Sequence, residues 1–475
     1  MSDTQRGGMQ RIPFPTESYE HPSRPLSAKR LLNCFVEEAP KDARAPFVLR
    51  TSPGLVYRET LGSGPFEAFN TELVGGFYAV SGNTAYRNSN GLTAWIGDVG
   101  IKSSGGAGPP SQAQVTIAVS PDMVAICVPP RLYAAAHYAA SLTPIDVSGF
   151  PGGGFSSVTY MNGYFVATQY GIGTAFFTSA LRDPTTWDPL DFAHADSLTN
   201  VVFSAVTHRG ELWLVGASAI EVWYDAGAAD FPLRRREGGV ITPGAVPRTV
   251  AQIDNSLWYL AQDGTVYRTQ TYQVRRVSSH AVEAITEAWN PNQALAVGYM
   301  QEGHACYALT LGDAGRTLIH DAATKQWHDR SSSADGSGPW RALVAGRISE
   351  HEYVGDAAGR LYRLDPAGSL DDTAPILGRV TLPPLYAETR RAFCARCEVE
   401  MEAPPDTDVT LTWSDDGGET FGGGPRIMSG ADVAGARRRL VTTRLGSFRQ
   451  RVFSIETHGR VSLYAVDAEI SAGAH

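Results

Sequence analysis

The stretch with the most explicit local chemistry is Ser414-Asp415-Asp416-Gly417-Gly418-Glu419-Thr420-Phe421, which fills every position of the pattern Ser-x-Asp-x-Gly-x-Thr-aromatic. In such an Asp box the carboxylate of Asp416 caps turn amides, Gly418 supplies a special backbone dihedral, and the Phe421 ring plugs the hairpin beneath. The pattern is a folding device and performs no reaction by itself. Cys394-Ala395-Arg396-Cys397 has the spacing of half a zinc site, but a tetrahedral site needs four ligands and the chain has no second cysteine pair. A redox dithiol normally opens a helix, whereas this pair falls in a strand-like run. The eleven histidines are scattered without ligand spacing. Gly152-Gly153-Gly154 and Gly422-Gly423-Gly424 lack the lysine and following helix of a phosphate loop. Arg234-Arg235-Arg236 is the sharpest basic cluster of the central region and reads as a solvated face. No cofactor, metal site or catalytic constellation is expected.

The elements that must carry these residues are β-rich. From His208 to Thr269, two units follow one another, each a Val/Ile/Tyr/Trp-rich run, a turn of small or polar residues and a second such run. In the second unit Asp263-Gly264 is expected to form a two-residue hairpin turn. The unit recurs: anchors stand at Tyr78, Ala125, Phe165, Trp213, Trp258, Cys306 and Tyr353, with steps of 47, 40, 48, 45, 48 and 47 residues. A period in the forties built from hairpins is the mark of radial propeller blades. The count is about seven, with six or eight following if one degenerate unit is miscounted.

The 475 residues carry 43% apolar and 19% charged residues, the balance of a folded chain. The 49 glycines and 29 prolines fall between β-rich runs, and no long amphipathic helix is evident. The expected class is all-β. A net charge of −9 argues against a general nucleic-acid coat. The first residues lack a signal-peptide core, no apolar run is long enough for a membrane span, and the five cysteines read as reduced and buried. Synthesis in a cytoplasm is therefore expected. The organisation reads as an extended arm over 1–48 with one strand at Leu31–Val36, a β-propeller over 49–370, and a C-terminal β-sandwich over 371–475, where apolar and polar residues alternate strictly. The arm is too short to bury a core of its own and is expected to order only against a neighbouring subunit or an adaptor.

Two short motifs and this order of parts carry a resemblance. Leu49-Arg50-Thr51-Ser52-Pro53-Gly54-Leu55 resembles the Leu-Arg-x-x-Pro-Gly-aliphatic entry into the propeller of the tail-hub proteins of short-tailed bacteriophages, the packaged-DNA stabilisation or head-completion group. Gly216-Ala217-Ser218-Ala219-Ile220-Glu221 resembles that family's Gly-x-Ser-x-Ile-Glu hairpin. The resemblance implies a non-enzymatic virion tail protein. It implies a ring of about six copies below the portal and its adaptor, a lumen through which packaged DNA passes without specific binding, and seats for the tail needle and for spikes or fibres. The Asp box stands outside the likeness. Sialidases and related propeller glycosidases carry several such boxes, so a glycosidase or carbohydrate-binding reading stays open beside the structural one.

Overall fold

The computed structural model describes residues 8–21, 23, 27–40, 46–100, 114–228, 230–312, 315–387, 390–404, 407, 409–422, 426–434 and 437–472. Apart from one two-turn helix, His280–Glu287, and two short 3-10 turns, the described regular elements are strands. No helix among the described residues is long and apolar enough to cross a membrane.

Six antiparallel runs of four consecutive strands follow one another, five as separate four-stranded sheets and the sixth as part of a larger sheet: blades 1 to 6 at residues 66–98, 116–145, 155–194, 202–241, 251–276 and 294–330. A seventh sheet is composite. Its strands Val344–Ile348, His351–Gly355 and Arg360–Asp365 are completed by Gly54–Thr60, which precedes blade 1 in the chain. The expected count of about seven is therefore slightly off for blades built from consecutive strands, of which there are six; the composite sheet fills the remaining place in the ring. The first strand of blade 7 packs against the first strand of blade 1, so the sheets form a ring.

All seven anchors lie on the second strand of a sheet. Trp213 pairs with Val206 and Trp258 with Ala251, each the third pair from its hairpin turn, and both rings are buried. Trp213 joins a core shared by blades 4 and 5, while Trp258 joins one shared by blades 5 and 6. Phe165 is one residue off the pattern: it faces blade 2, and Val166 faces blade 4. The hairpin turn at Asp263-Gly264 also differs from expectation. It is a longer connection, with Gly264 at φ 78° and the Asp263 carboxylate accepting from the Thr265 amide at 2.9 Å.

Beside the ring, two sheets face each other across one core containing Ile12, Leu31, Val36, Leu49, Val399 and Phe453. One sheet joins Cys34–Glu38 and Phe47–Thr51 to Ser462–Ala472, Ala392–Glu402, Arg437–Thr443 and Ser429–Ala434, with Gly8–Ile12 also pairing with Ser462–Ala472. The other runs from Ala28–Leu32 through Leu377–Thr381 and Gln450–His458 to Val409–Ser414 and Arg426–Ile427. Through a parallel bridge between Leu32 and Asp329 this second sheet is continuous with blade 6. Two expectations are corrected here. Residues 8–38 are not an arm awaiting another subunit, and 371–475 do not make a self-contained sandwich. Leu31 and Val36 are buried in the core shared with strands from the other end of the chain, Leu32 is buried on the strand that pairs with Leu377–Thr381, and Phe35 is buried against His304 and His328 of blade 6.

Candidate functional site

The first strands of the seven blades enclose an axial cavity of about 430 Å³. Its wall mixes aliphatic side chains with neutral polar groups, and Glu67, Glu72 and Arg248 supply the charges. Among the described residues no group of three or more His, Cys, Asp or Glu is arranged to hold a metal ion.

The Leu49–Leu55 motif lies at the seam where the ring closes on the two-sheet unit. Leu49 is buried in the two-sheet core, and Leu55 is buried between blades 6 and 7. Between them Arg50 reaches Glu37 at 3.2 Å and Glu302 of the blade 6 hairpin at 2.8 Å. The Pro53 carbonyl accepts from Arg330 at 2.7 Å, whose guanidinium lies 3.9 Å from the Trp340 ring centroid. Gly54 is required by close packing, because a Cβ there would lie 2.7 Å from the Leu370 carbonyl oxygen. The motif thus ties three parts of the molecule together within seven residues.

The Gly216–Glu221 hairpin sits at the margin of blade 4. A Cβ on Gly216 would lie 2.8 Å from the Val201 carbonyl oxygen. Ser218 accepts from the Thr199 amide at 3.2 Å, and Ile220 is buried. Glu221 is wholly buried and is satisfied by the Ser197 amide at 2.8 Å and the Trp223 indole at 2.9 Å. This carboxylate holds loops together. The two family-like motifs are on separate blades and do not converge on one site.

The Asp box forms a turn at the end of Val409–Ser414. Asp416 accepts from the Glu419 and Thr420 amides at 3.0 Å, and Ser414 receives the Gly418 amide at 2.8 Å. Hydrogen bonds from Ser414 and Thr420 hold the Asp416 carboxyl well below the usual carboxylate range. Gly418 has φ 98°. The expected plug is absent from its place: Phe421 is 41% exposed. Beside the turn, Asp415 receives the buried Arg451 guanidinium through two contacts of 2.7 Å. Burial pushes the Cys394 thiol up to about 11 and Cys397 to about 12, the opposite of a reactive dithiol.

Two polar joints were not expected from sequence. Asp329 of blade 6 accepts from Arg30 at 2.7 Å and also from Arg316, which reaches Glu20 at 2.6 Å. Burial opposes the ionised Asp329, but Arg316 and Arg30 outweigh it and lower its pKa. Nearby, His304 bonds Asp321 at 2.6 Å, with Glu37 3.5 Å away; the Asp321 bond raises its pKa against the effect of burial. The signal available was only the unusual density of charge in Gln326–Arg330, which is apolar at one position in five.

A family model described as Phage_stabilise: Bacteriophage P22 Gp10, beta-propeller, matches residues 32–369. A search of curated proteins finds no match. Among solved structures, the chain is similar to the WD40 propeller domain of Doa1 with 11% identity and a TM-score of 0.42, over 66% of this chain and 97% of that one. It is similar to YCF48 from Cyanidioschyzon merolae with 12% identity and a TM-score of 0.38, over 75% and 98%. For the extracellular domain of the putative one component system BT4673 from B. thetaiotaomicron the values are 8% and 0.44, over 82% and 48%. These structural likenesses are too distant to carry function.

Proposed function

The chain belongs to the Phage_stabilise family of bacteriophage propeller proteins, and from that premise we propose that it is the tail hub of a short-tailed phage. In this reading about six copies close into a ring below the portal and its adaptor, through heterologous contacts between two different faces of each subunit. The ring retains packaged DNA and seats the needle and the spikes or fibres. The observation that carries the proposal is the extent of the family match, which takes in the closure seam and all seven blades. The joints at Arg50, Asp329 and Arg330 support it, since a ring component needs its propeller and flanking unit held in one fixed relation. Asp416 engages both carboxylate oxygens within its own turn, so the Asp box adds nothing to a carbohydrate reading.

The test is to produce particles without this protein and to mix the purified protein with adaptor-bearing heads. The expected results are heads that lose their genome, and a six-fold density below the adaptor by electron microscopy. Particles that keep their DNA without the protein would overturn the proposal.

A further inference from the structure

The basic residues of this chain fall into two kinds. In the central run Arg234 is held by Asp230 at 3.0 Å and Arg236 by Glu211, while Arg235 reaches only the Ser197 hydroxyl at 3.3 Å. In the two-sheet unit Arg451 is likewise taken by Asp415, while Arg396 and Arg439 share Glu398. Arg390, Arg391, Arg444 and Arg449 are different. All four are exposed, and among the described residues none has a carboxylate partner; Arg58, Arg275 and Arg460 share that state, so it is the gathering of these four at one place that sets them apart.

The backbone brings them to one end of the unit. Ala392 pairs with Phe448 and Phe393 with Ser447, so Arg391 and Arg449 occupy the next facing positions of the same ladder. Arg391 also reaches the Ser447 hydroxyl at 3.5 Å. The Arg390 amide donates to the Ala387 carbonyl at 3.1 Å, and the Ala387 amide donates to the Arg449 carbonyl at 2.8 Å, which keeps the Arg390 backbone close to this pair. Arg444 lies farther along, its amide bonded to the Ala395 carbonyl at 2.9 Å. Ala395 is four strand steps on from Arg391, or about 13 Å. Ala392 and Cys394 point into the core, which leaves Arg391 and Phe393 outward on one face. Phe393 is 50% exposed, and Tyr386, on the strand beside Gln450, is 57% exposed.

We infer that this arginine-rich end binds the phosphate backbone of duplex DNA. Guanidinium groups suit phosphate because they donate in a fixed planar fork and stay charged. A protein-docking face would want a continuous apolar centre, whereas here two rings are set among arginines that have no carboxylate partner among the described residues. The net charge of the whole chain is −9, so the contact is local: it holds DNA along one strip and leaves the rest of the surface repelling it. The inference rests on the reading of the chain as a particle component that meets the packaged genome.

The experiment uses purified full-length protein and a short fluorescent duplex, with anisotropy measured between about 50 and about 200 mM salt. Wild-type protein should bind at the low end, with affinity falling as salt rises. The combined variant Arg390→Ala/Arg391→Ala/Arg449→Ala should bind about tenfold or more weakly and lower the salt slope by about 2–3, at about 0.9 per phosphate contact. The corresponding lysine variant should retain most of the binding, since charge is kept, and circular dichroism should be unchanged in both. Arg234→Ala/Arg235→Ala should bind as wild type. Absence of wild-type binding at low salt overturns the inference, as does an unaffected triple variant or an equal loss in the Arg234/Arg235 control. Virion incorporation is scored separately. If the triple variant binds duplex normally but fails to assemble, the strip is a protein-docking face and the DNA inference is wrong. If wild-type protein binds duplex yet never enters particles, the tail-hub reading fails and the strip stands.

Discussion

The propeller and the two-sheet unit beside it are both antiparallel β, yet they are assembled by opposite rules. Within blades 1 to 6 every strand pairs with the one next to it in sequence, and cores form between consecutive blades. In the two-sheet unit, strands from the first fifty residues pair with strands from the last hundred; Gly8, for example, stands opposite Ile470. A repeat whose contacts are local can lose one member's packing and keep its neighbours, as in other quasi-one-dimensional folds. A unit braided from both chain ends has no such reserve.

The largest test of this contrast is removal of residues 1–48. It withdraws Leu31, Leu32, Phe35 and Val36 from buried positions, each worth about 2–5 kcal/mol on truncation. The two-sheet unit should unfold outright, while blades 2 to 5 keep protection in hydrogen exchange. Retention of native protection in Gln450–His458 would break the comparison. Next in size, Trp213→Ala and Trp258→Ala should each cost about 3–5 kcal/mol by denaturant titration. The two values should agree closely, because the rings occupy the same rung of adjacent blades; a large disparity would remove the claimed equivalence.

A smaller effect distinguishes blade 6 by pH. Burial lowers His320 and His328 to about 4, so both are neutral in the folded protein at pH 7. The unfolded chain binds protons at the ordinary histidine value near 6.5. Stability should therefore fall as pH drops from about 6.5 towards 4, by on the order of 2 kcal/mol per histidine at pH 5. His304, raised by Asp321, acts in the opposite sense: its contribution is present at low pH and is lost as pH rises through its folded value. The double variant His320→Gln/His328→Gln should flatten the acid limb of the melting curve, and an unchanged limb would place the acid sensitivity elsewhere. The smallest change is expected for Asp416→Ala, a slight drop in melting temperature with the rest of the fold intact, because every partner of that carboxylate lies within its own turn.

That ordering also describes what could be read from the residues. The Asp-box turn was legible because its partners lie within four residues of Asp416. The blades were legible because their period repeats the same hairpin, even where Phe165 slips by one position. Arg30 and Asp329 were not, since 299 positions separate them and neither stands in a pattern. Apolar spacing marked Leu31–Val36 as one strand, whereas Asn33, at φ 52°, separates Ala28–Leu32 from Cys34–Glu38 and the two join different sheets; the spacing held no information about either partner. Phe421 failed as a plug because the aromatic position of the pattern says nothing about whether a surface lies beneath it.

The composite seventh blade has a consequence for synthesis. Strand Gly54–Thr60 leaves the ribosome before any blade exists, and its partner Arg360–Asp365 comes after six blades have been made. At the usual 5–20 residues per second the wait is on the order of 15–60 s. Throughout that interval the nascent chain carries an unpaired strand edge that can zip onto the same strand of a neighbouring chain on the same message. A message truncated anywhere before Arg360 therefore yields a product that never closes, and the aggregating species is the unfinished ring.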